Sequence, residues 1–309
     1  MTPTQRHRLA LLLLWVTPVI WSSNYVIARA AKGVVLPHVL ALGRWSLALL
    51  LLMPWVGREL WARRAQVRAE WRQSLVLGAT GMWICGAIVY LGGQSTTATN
   101  IGLIYAAAPV GIAIASRHLM HEHASRGQRL GMGLALLGVI FVVLKGDWHN
   151  LLAVRFTPGD GWILLCMLSW VAYSVLQQHW RSALPAQPRL ACIMIGGVVV
   201  LLPFTLLEVW LVPPLPLTAH ALTLIVAAAI LPGLLSYVAY AFLIRELGAT
   251  RSSLLLYLGP LYGSLNAWWL LGEVPQWYHL AGAALILPSI WLASRKGGVP
   301  GSARRGLGG

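Results

Sequence analysis

The chain has 309 residues, of which 58% are hydrophobic and 10% charged, and its formal net charge is +15. Its mean hydropathy is +0.71. A soluble domain of this size needs far more charge to cover its surface, so a soluble enzyme or binding module is excluded and a polytopic membrane protein is indicated.

The apolar residues fall in blocks, and a block of about 18 to 25 residues matches the ~30 Å hydrocarbon core at ~1.5 Å of helical rise per residue. Ten spans are predicted, at 9–31, 38–56, 74–95, 98–119, 127–145, 160–181, 190–212, 220–244, 249–271 and 276–294. The first follows "QRHR" like a signal peptide, but it lacks a clear small-residue cleavage site, and "WSSNYVIARAA" carries it to spanning length. The second is bent or ended by Pro54 and leads into the charged "RELWARRAQVRAEWRQ". Only the polar "QSTTATN" separates the third from the fourth, and "VPPLPLTAH" follows the seventh.

The basicity follows this topology. With the N-terminus inside, 18 of the 23 Lys and Arg fall on cytoplasmic segments, against Arg29, Lys32, Lys145 and Arg155 opposite and Arg44 within a span. The positive-inside rule then puts both termini in the cytoplasm, in a bacterial-type inner membrane, and removes the case for a nucleic-acid partner. Cys85, Cys166 and Cys192 lie inside spans with no Cys-x-x-Cys, which reads as small apolar residues and no disulfide framework.

An internal repeat organises the chain. "ATNIGLIYAAAPVGIAIASRHLMHE" lies over "ATRSSLLLYLGPLYGSLNAWWLLGE" at an offset of 151, pairing Pro109 with Pro260 and Glu122 with Glu273. The register continues through Gly131 over Gly282 and the "KG" at Lys145 over that at Lys296, and "WSSNYV" from Trp21 lies near "WVAYSV" from Trp170. Five helices per half give repeats of opposite orientation, at 1–150 and 151–296, followed by a basic, Gly-rich tail at 297–309. Inverted repeats mark secondary transporters, with the binding site near the midplane between them. The expected fold is all-α, with ten transmembrane helices as two inverted five-helix repeats around a central cavity.

"WSSNYV", "GRWSLALLLL", the two proline-to-glutamate segments and "SWVAYSV", in this order and duplicated, resemble the ten-helix EamA-type permeases of the drug/metabolite transporter superfamily. The Trp-rich composition is most similar to the YddG-type aromatic amino acid exporters of that family. The resemblance implies a cavity lined by spans 1, 3, 4, 6, 8 and 9, and export from the cytoplasm.

Pro109 and Pro260 sit near the bilayer centre, where each is expected to leave a carbonyl unpaired, at Tyr105 and Leu256. These carbonyls would meet a substrate ammonium, or the prolines would act as hinges that shape the cavity, together with Pro18 and Pro232. Stripes at helical spacing, among them Ser22 with Tyr25, Tyr90 with Gln94, Ser169 with Tyr173 and Gln177, Ser236 with Tyr240, and Ser253 with Tyr257, should face the bundle interior, and the candidate substrate contacts are Trp21, Asn24, Tyr25, Tyr90, Tyr105, Trp170, Tyr173, Tyr240 and Tyr257. An aromatic face with a few hydroxyls and amides suits an amphipathic substrate, although a Trp or Tyr near a helix end also serves as an interfacial anchor. Every Asp and Glu falls near a span end or in a loop, which disfavours an embedded proton or cation site. Arg44 either snorkels outward, bonds helix-end carbonyls or meets a substrate carboxylate. The cytoplasmic "RHLMHEHASR" is not read as a metal site, and Glu122 and Glu273 are expected to stabilise helix ends.

The function expected is export of aromatic or other neutral amino acids, or related metabolites, by a monomer without cofactors. Alternatives within the superfamily are export of lipophilic drugs and carriage of sugar phosphates or nucleotide sugars. An integral membrane enzyme is disfavoured because no nucleophile, carboxylate cluster or metal-ligand pattern converges within the spans.

Overall fold

The computed structural model describes residues 1–213, 215–272 and 274–294, apart from the side chains of Tyr25, Arg29, Ala98, Thr99, Ala267, Leu270 and Leu271. The described residues form helices and no strands. Helix α1 is Pro3–Ala31, α2 Pro37–Ala62, α3 Trp71–Gly92, α4 98–120, α5 Arg126–Val143, α6 Pro158–His179, α7 Ala186–Leu211, α8 Ala219–Leu247, α9 249–271 and α10 Trp277–Ser294. A short helix, Arg64–Ala69, joins α2 to α3.

Eight of these, α1 through α8, are long and apolar enough to cross a membrane. The ninth expected span is interrupted by a 3-10 stretch at Ser253–Leu258, and the tenth starts with the polar, aromatic "WYH" and has 18 residues. Helix α2 runs past Pro54 to Ala62, because proline is accommodated inside a long transmembrane helix whose neighbours satisfy the freed groups. Polar side chains mark several helix starts. Thr97 and Thr218 accept from the N–H three residues on, and Ser125 with Gln128 forms a reciprocal capping box.

The packing obeys the repeat. Helix α2 packs on α7 and α5 on α10, and each pair maps onto itself when helices are exchanged by five. The contact of α1 with α9 maps onto that of α6 with α4, and that of α3 with α6 onto that of α8 with α1. Helices α3 and α7 approach backbone to backbone. A Cβ on Gly78 would lie 2.2 Å from the Gly197 nitrogen and 2.6 Å from the Gly196 carbonyl carbon, so only glycine allows these backbones to touch.

The two central prolines differ from expectation. Pro109 is the second residue of a new helical segment, Ala108–Met120, which follows a break at Ala107 after Ala98–Ala106. Pro260 likewise stands second in Gly259–Leu271. At such a position the missing N–H costs little. The carbonyls at Tyr105 and Leu256 are not the free acceptors expected. The Gly259 N–H donates to Leu256, and Tyr105 takes part in interactions of its own. The tightened 3-10 turn before Pro260 supplies that donor.

Candidate functional site

The wide turns of α3 and α8 build the centre of the molecule. Residues Ala79–Ile88 of α3 and Ala229–Leu235 of α8 are π-helical and occupy matching places in the two repeats. A π turn displaces carbonyls from the regular ladder and presents them to neighbouring helices. In α3, the Trp45 indole donates to Met82 O at 3.1 Å, Tyr237 Oη to Gly81 O at 2.8 Å and Ser169 Oγ to Thr80 O at 3.0 Å. In α8, Arg44 Nη2 donates to Pro232 O at 2.8 Å. Tyr237, Ser169 and Arg44 thus bond the loosened turn of the opposite repeat, while Trp45 bonds that of its own.

On this frame the aromatic rings converge. Trp21 meets Trp170 edge-on at 5.1 Å between centroids, Tyr240 at 5.4 Å and Tyr237 at 5.4 Å. Trp170 also contacts Tyr173 at 5.2 Å and Tyr240 at 5.1 Å. Tyr240 shares a hydrogen bond with Ser174 at 2.9 Å, and Gln177 Nε2 donates to Tyr173 Oη at 2.9 Å. Gly81 makes room for this cluster, because a Cβ there would come within 2.5 Å of the Tyr173 ring. The Trp170 indole N–H, although buried, has no hydrogen-bond partner among the described residues, and neither has Tyr257 Oη. A buried donor without a partner costs about 1–3 kcal/mol, so each is a group prepared to bond something else.

Beside the cluster lies a polar group at the ends of α1 and α3 that face away from the arginine-rich side. Tyr90 Oη donates to Asn24 Oδ1 at 3.0 Å, and Arg44 Nη1 reaches the same oxygen at 3.4 Å. Arg44 is 3% exposed and lies with Cζ 4.6 Å from the Trp45 ring centroid. It therefore does not snorkel to an interface. It bonds the displaced carbonyl of α8, while its Nε has no partner among the described residues.

On the arginine-rich side a cavity of about 500 Å³ opens between the ends of α4, α6 and α8 and the start of α7. Gln177 lies at its wall, one hydrogen bond from Tyr173 and so from the aromatic cluster. Glu122 accepts from Gln178 Nε2, and Gln178 Oε1 accepts from the Ala249 N–H, tying α4, α6 and α9 together at this mouth. Glu122 thus links helices, which differs from the helix-end role expected for it. Glu273 lies outside the described residues.

Of the candidates named from sequence, Trp21, Trp170, Tyr173 and Tyr240 come together, and Asn24, Tyr90 and Arg44 form the adjoining group. Tyr257 is buried in the 3-10 stretch of α9, Tyr105 is half-buried in α4, and the side chain of Tyr25 lies outside the description. Pro18 is buried within α1, Pro232 within the wide turn of α8, and Pro109 at the α4 break. Sequence reasoning missed Trp45 and Tyr237, both of which bond α3 carbonyls, and Asn266, which donates to Val19 O at 2.9 Å and Ser22 Oγ at 2.8 Å. It also missed a buried pair, in which His38 donates through its backbone N–H to Glu208 at 2.8 Å while its Nδ1 lies 2.9 Å from the same carboxylate. Both residues sit at helix ends, where a sequence alone gives no sign that two such ends meet.

The model of the EamA-like transporter family matches residues 8–144 and again 157–295. The chain belongs to this family of membrane transporters, within the drug/metabolite transporter superfamily. An uncharacterized transporter of Archaeoglobus fulgidus is 25% identical over 287 residues, covering 92% of this chain and 97% of that protein. A probable terminal-alkyne amino-acid exporter of Streptantibioticus cattleyicolor is 28% identical and covers 92% of both chains. An S-adenosylmethionine/S-adenosylhomocysteine transporter of Chlamydia muridarum is 25% identical, over 86% of this chain and 85% of that one. A solved crystal structure shares the fold, with a TM-score of 0.73 at 18% identity over 92% of this chain and 96% of that chain. The EamA family and these relatives are transporters and not enzymes, which agrees with the class indicated by the inverted repeat.

Proposed function

We propose that this EamA-family protein exports aromatic or other neutral amino acids, or metabolites bearing an amino-acid head group, by alternating access. The repeats at 1–150 and 151–296 would rock about the central cluster in an inner membrane, with both termini in the cytoplasm and the arginine-rich cavity facing inward. The observation that carries the reading is the aromatic cluster on α1, α6 and α8, with the unpartnered Trp170 indole at its heart. Such rings accept an apolar side chain and reward its burial. Arg44 and Asn24 beside them supply a cation and an amide for the carboxylate end. Two of the similar proteins carry names that involve an amino-acid group, one as an amino-acid exporter and one as an S-adenosylmethionine carrier, which is consistent with head-group recognition. Pro109 and Pro260, at the breaks of α4 and α9, are the hinge candidates.

Resistance to toxic amino-acid analogues tests the proposal. Cells producing the protein should tolerate p-fluorophenylalanine, and Tyr173→Ala should abolish the tolerance at equal protein level. Tolerance of a lipophilic dye without tolerance of the analogue would transfer the site to drugs. Sugar-phosphate transport alone would contradict the amino-acid reading and keep the fold.

A further inference from the structure

The cavity at the arginine-rich end contains a feature that membrane topology does not explain. The positive-inside rule accounts for arginines at this end, but not for a buried acceptor turned toward them. Gln177 is 5% exposed and lines the cavity, and its Nε2 is committed to Tyr173 Oη. In this arrangement Oε1 is the free end, buried and without a partner among the described residues. An amide oxygen held this way asks for a donor.

The same cavity is lined by three arginines, Arg181, Arg189 and Arg245, and by Glu122, with the Glu70 carboxylate behind it bonded to the lining Ser182. Arg189 has a structural task, since it donates to the carbonyls of Gln177 and Trp180 at 2.7 and 2.6 Å and so closes the end of α6. Arg181 and Arg245 are exposed at the mouth. The Glu122 carboxylate accepts from Gln178. The lining is also apolar in part, with Leu190, Ile193, Ala241 and Ile244. The cavity therefore offers an unpartnered acceptor, more arginines than carboxylates in its lining, and apolar surface within about 500 Å³.

We infer that this cavity is a distinct first binding site that reads the zwitterionic head of an α-amino acid before the substrate reaches the aromatic cluster. The ammonium donates to Gln177 Oε1, the carboxylate meets Arg181 and Arg245, and the side chain lies on the apolar surface. The inference rests on the amino-acid reading above and adds where and how the head group is first recognised. It also gives the Gln177–Tyr173 hydrogen bond a role, since occupancy at Gln177 is felt one bond away by a ring of the cluster.

Equilibrium binding to the purified full-length protein tests it with four probes: phenylalanine, 3-phenylpropionate, which lacks the ammonium, phenethylamine, which lacks the carboxylate, and phenylalanine methyl ester. Gln177→Leu should weaken phenylalanine and phenethylamine about ten-fold or more and leave 3-phenylpropionate unchanged. Gln177→Glu, which keeps an acceptor, should retain or strengthen phenethylamine binding. The Arg181→Gln, Arg245→Gln pair, at exposed positions, should weaken phenylalanine and 3-phenylpropionate but not phenethylamine or the ester. Uniform weakening of all probes in Gln177→Leu, without rescue in Gln177→Glu, would mean a structural role and overturn the site. Phenylalanine binding that is unaltered by every variant would overturn the site alone. Failure of the wild-type protein to bind any of the four would overturn the amino-acid reading with it.

Discussion

Replacing Arg44 by methionine separates a fold-locking arginine from a substrate-binding one. The guanidinium makes one good hydrogen bond, to Pro232 O at 2.8 Å, and one long contact, to Asn24 at 3.4 Å, and lies 4.6 Å from the Trp45 ring. A charged hydrogen bond contributes about 1.5–3 kcal/mol and a desolvated cation–π contact about 2 kcal/mol, so the favourable side is roughly 3.5–5 kcal/mol. Desolvating an ion costs several kcal/mol, and no ion pair to Arg44 is present among the described residues to offset it. The two sides nearly cancel. Methionine fills the volume of the stem and leaves the Pro232 carbonyl without its donor, so stability should change by no more than about 2 kcal/mol in either direction. Binding should respond differently. Loss of a buried cation that pairs with a carboxylate costs about 2–4 kcal/mol, a fall of roughly 30- to 1,000-fold in affinity. Thermal unfolding in detergent and a radioligand binding assay, run on the same preparations, measure the two quantities. A loss of stability beyond about 4 kcal/mol with normal affinity in the surviving protein would refute the reasoning and make Arg44 a structural lock.

Gly78→Ala should destabilise the protein by about 1–3 kcal/mol, because its methyl group would press on the Gly196–Gly197 backbone, whereas Gly133→Ala, with nothing within 4 Å of the new Cβ, should be neutral or stabilising; paired melting curves would check both. Glu208→Ala strips the acceptor from the backbone N–H and ring of His38, whose Nε2 already accepts from Trp83, and a loss of about 1–3 kcal/mol is expected, with a smaller loss for Glu208→Gln; equal melting points for the two variants would contradict the pairing. Pro260→Ala should change stability by less than about 1 kcal/mol, far from the ~3 kcal/mol effect of a mid-helix proline, because Pro260 stands second in its segment. Its transport rate should fall, and a wild-type rate would remove α9 from the list of hinges.

The repeat was legible in sequence because proline, glycine and glutamate recur at one offset that apolar composition does not produce, and of the ten spans expected eight are long and apolar enough to cross a membrane among the described residues. The faces of α1 and α6 were legible in part, since Ser22 and Tyr25 share one stripe, Tyr173 and Gln177 another, and Trp21 and Trp170 open matching segments of the repeat. The π turns were not. Nothing in "ATGMWICGAI" announces that its carbonyls will bond Trp45, Tyr237 and Ser169, because the wide turn is stabilised by partners on other helices. The free carbonyls expected below Pro109 and Pro260 rested on a continuous α-helix, and the chain instead breaks and restarts, which satisfies those groups locally. Glu208 gained its significance only from tertiary placement opposite His38, and Gln177, already on the inward stripe of α6, gained its cavity from the helices that meet there.

The most direct test of the central claim is uptake into proteoliposomes containing the purified protein and preloaded with unlabelled phenylalanine, with labelled phenylalanine, S-adenosylmethionine and a sugar phosphate offered outside in turn. The account predicts counterflow of phenylalanine that disappears in Tyr173→Ala and in Arg44→Met. Counterflow of a sugar phosphate in matched loaded vesicles, with none of phenylalanine, would contradict it.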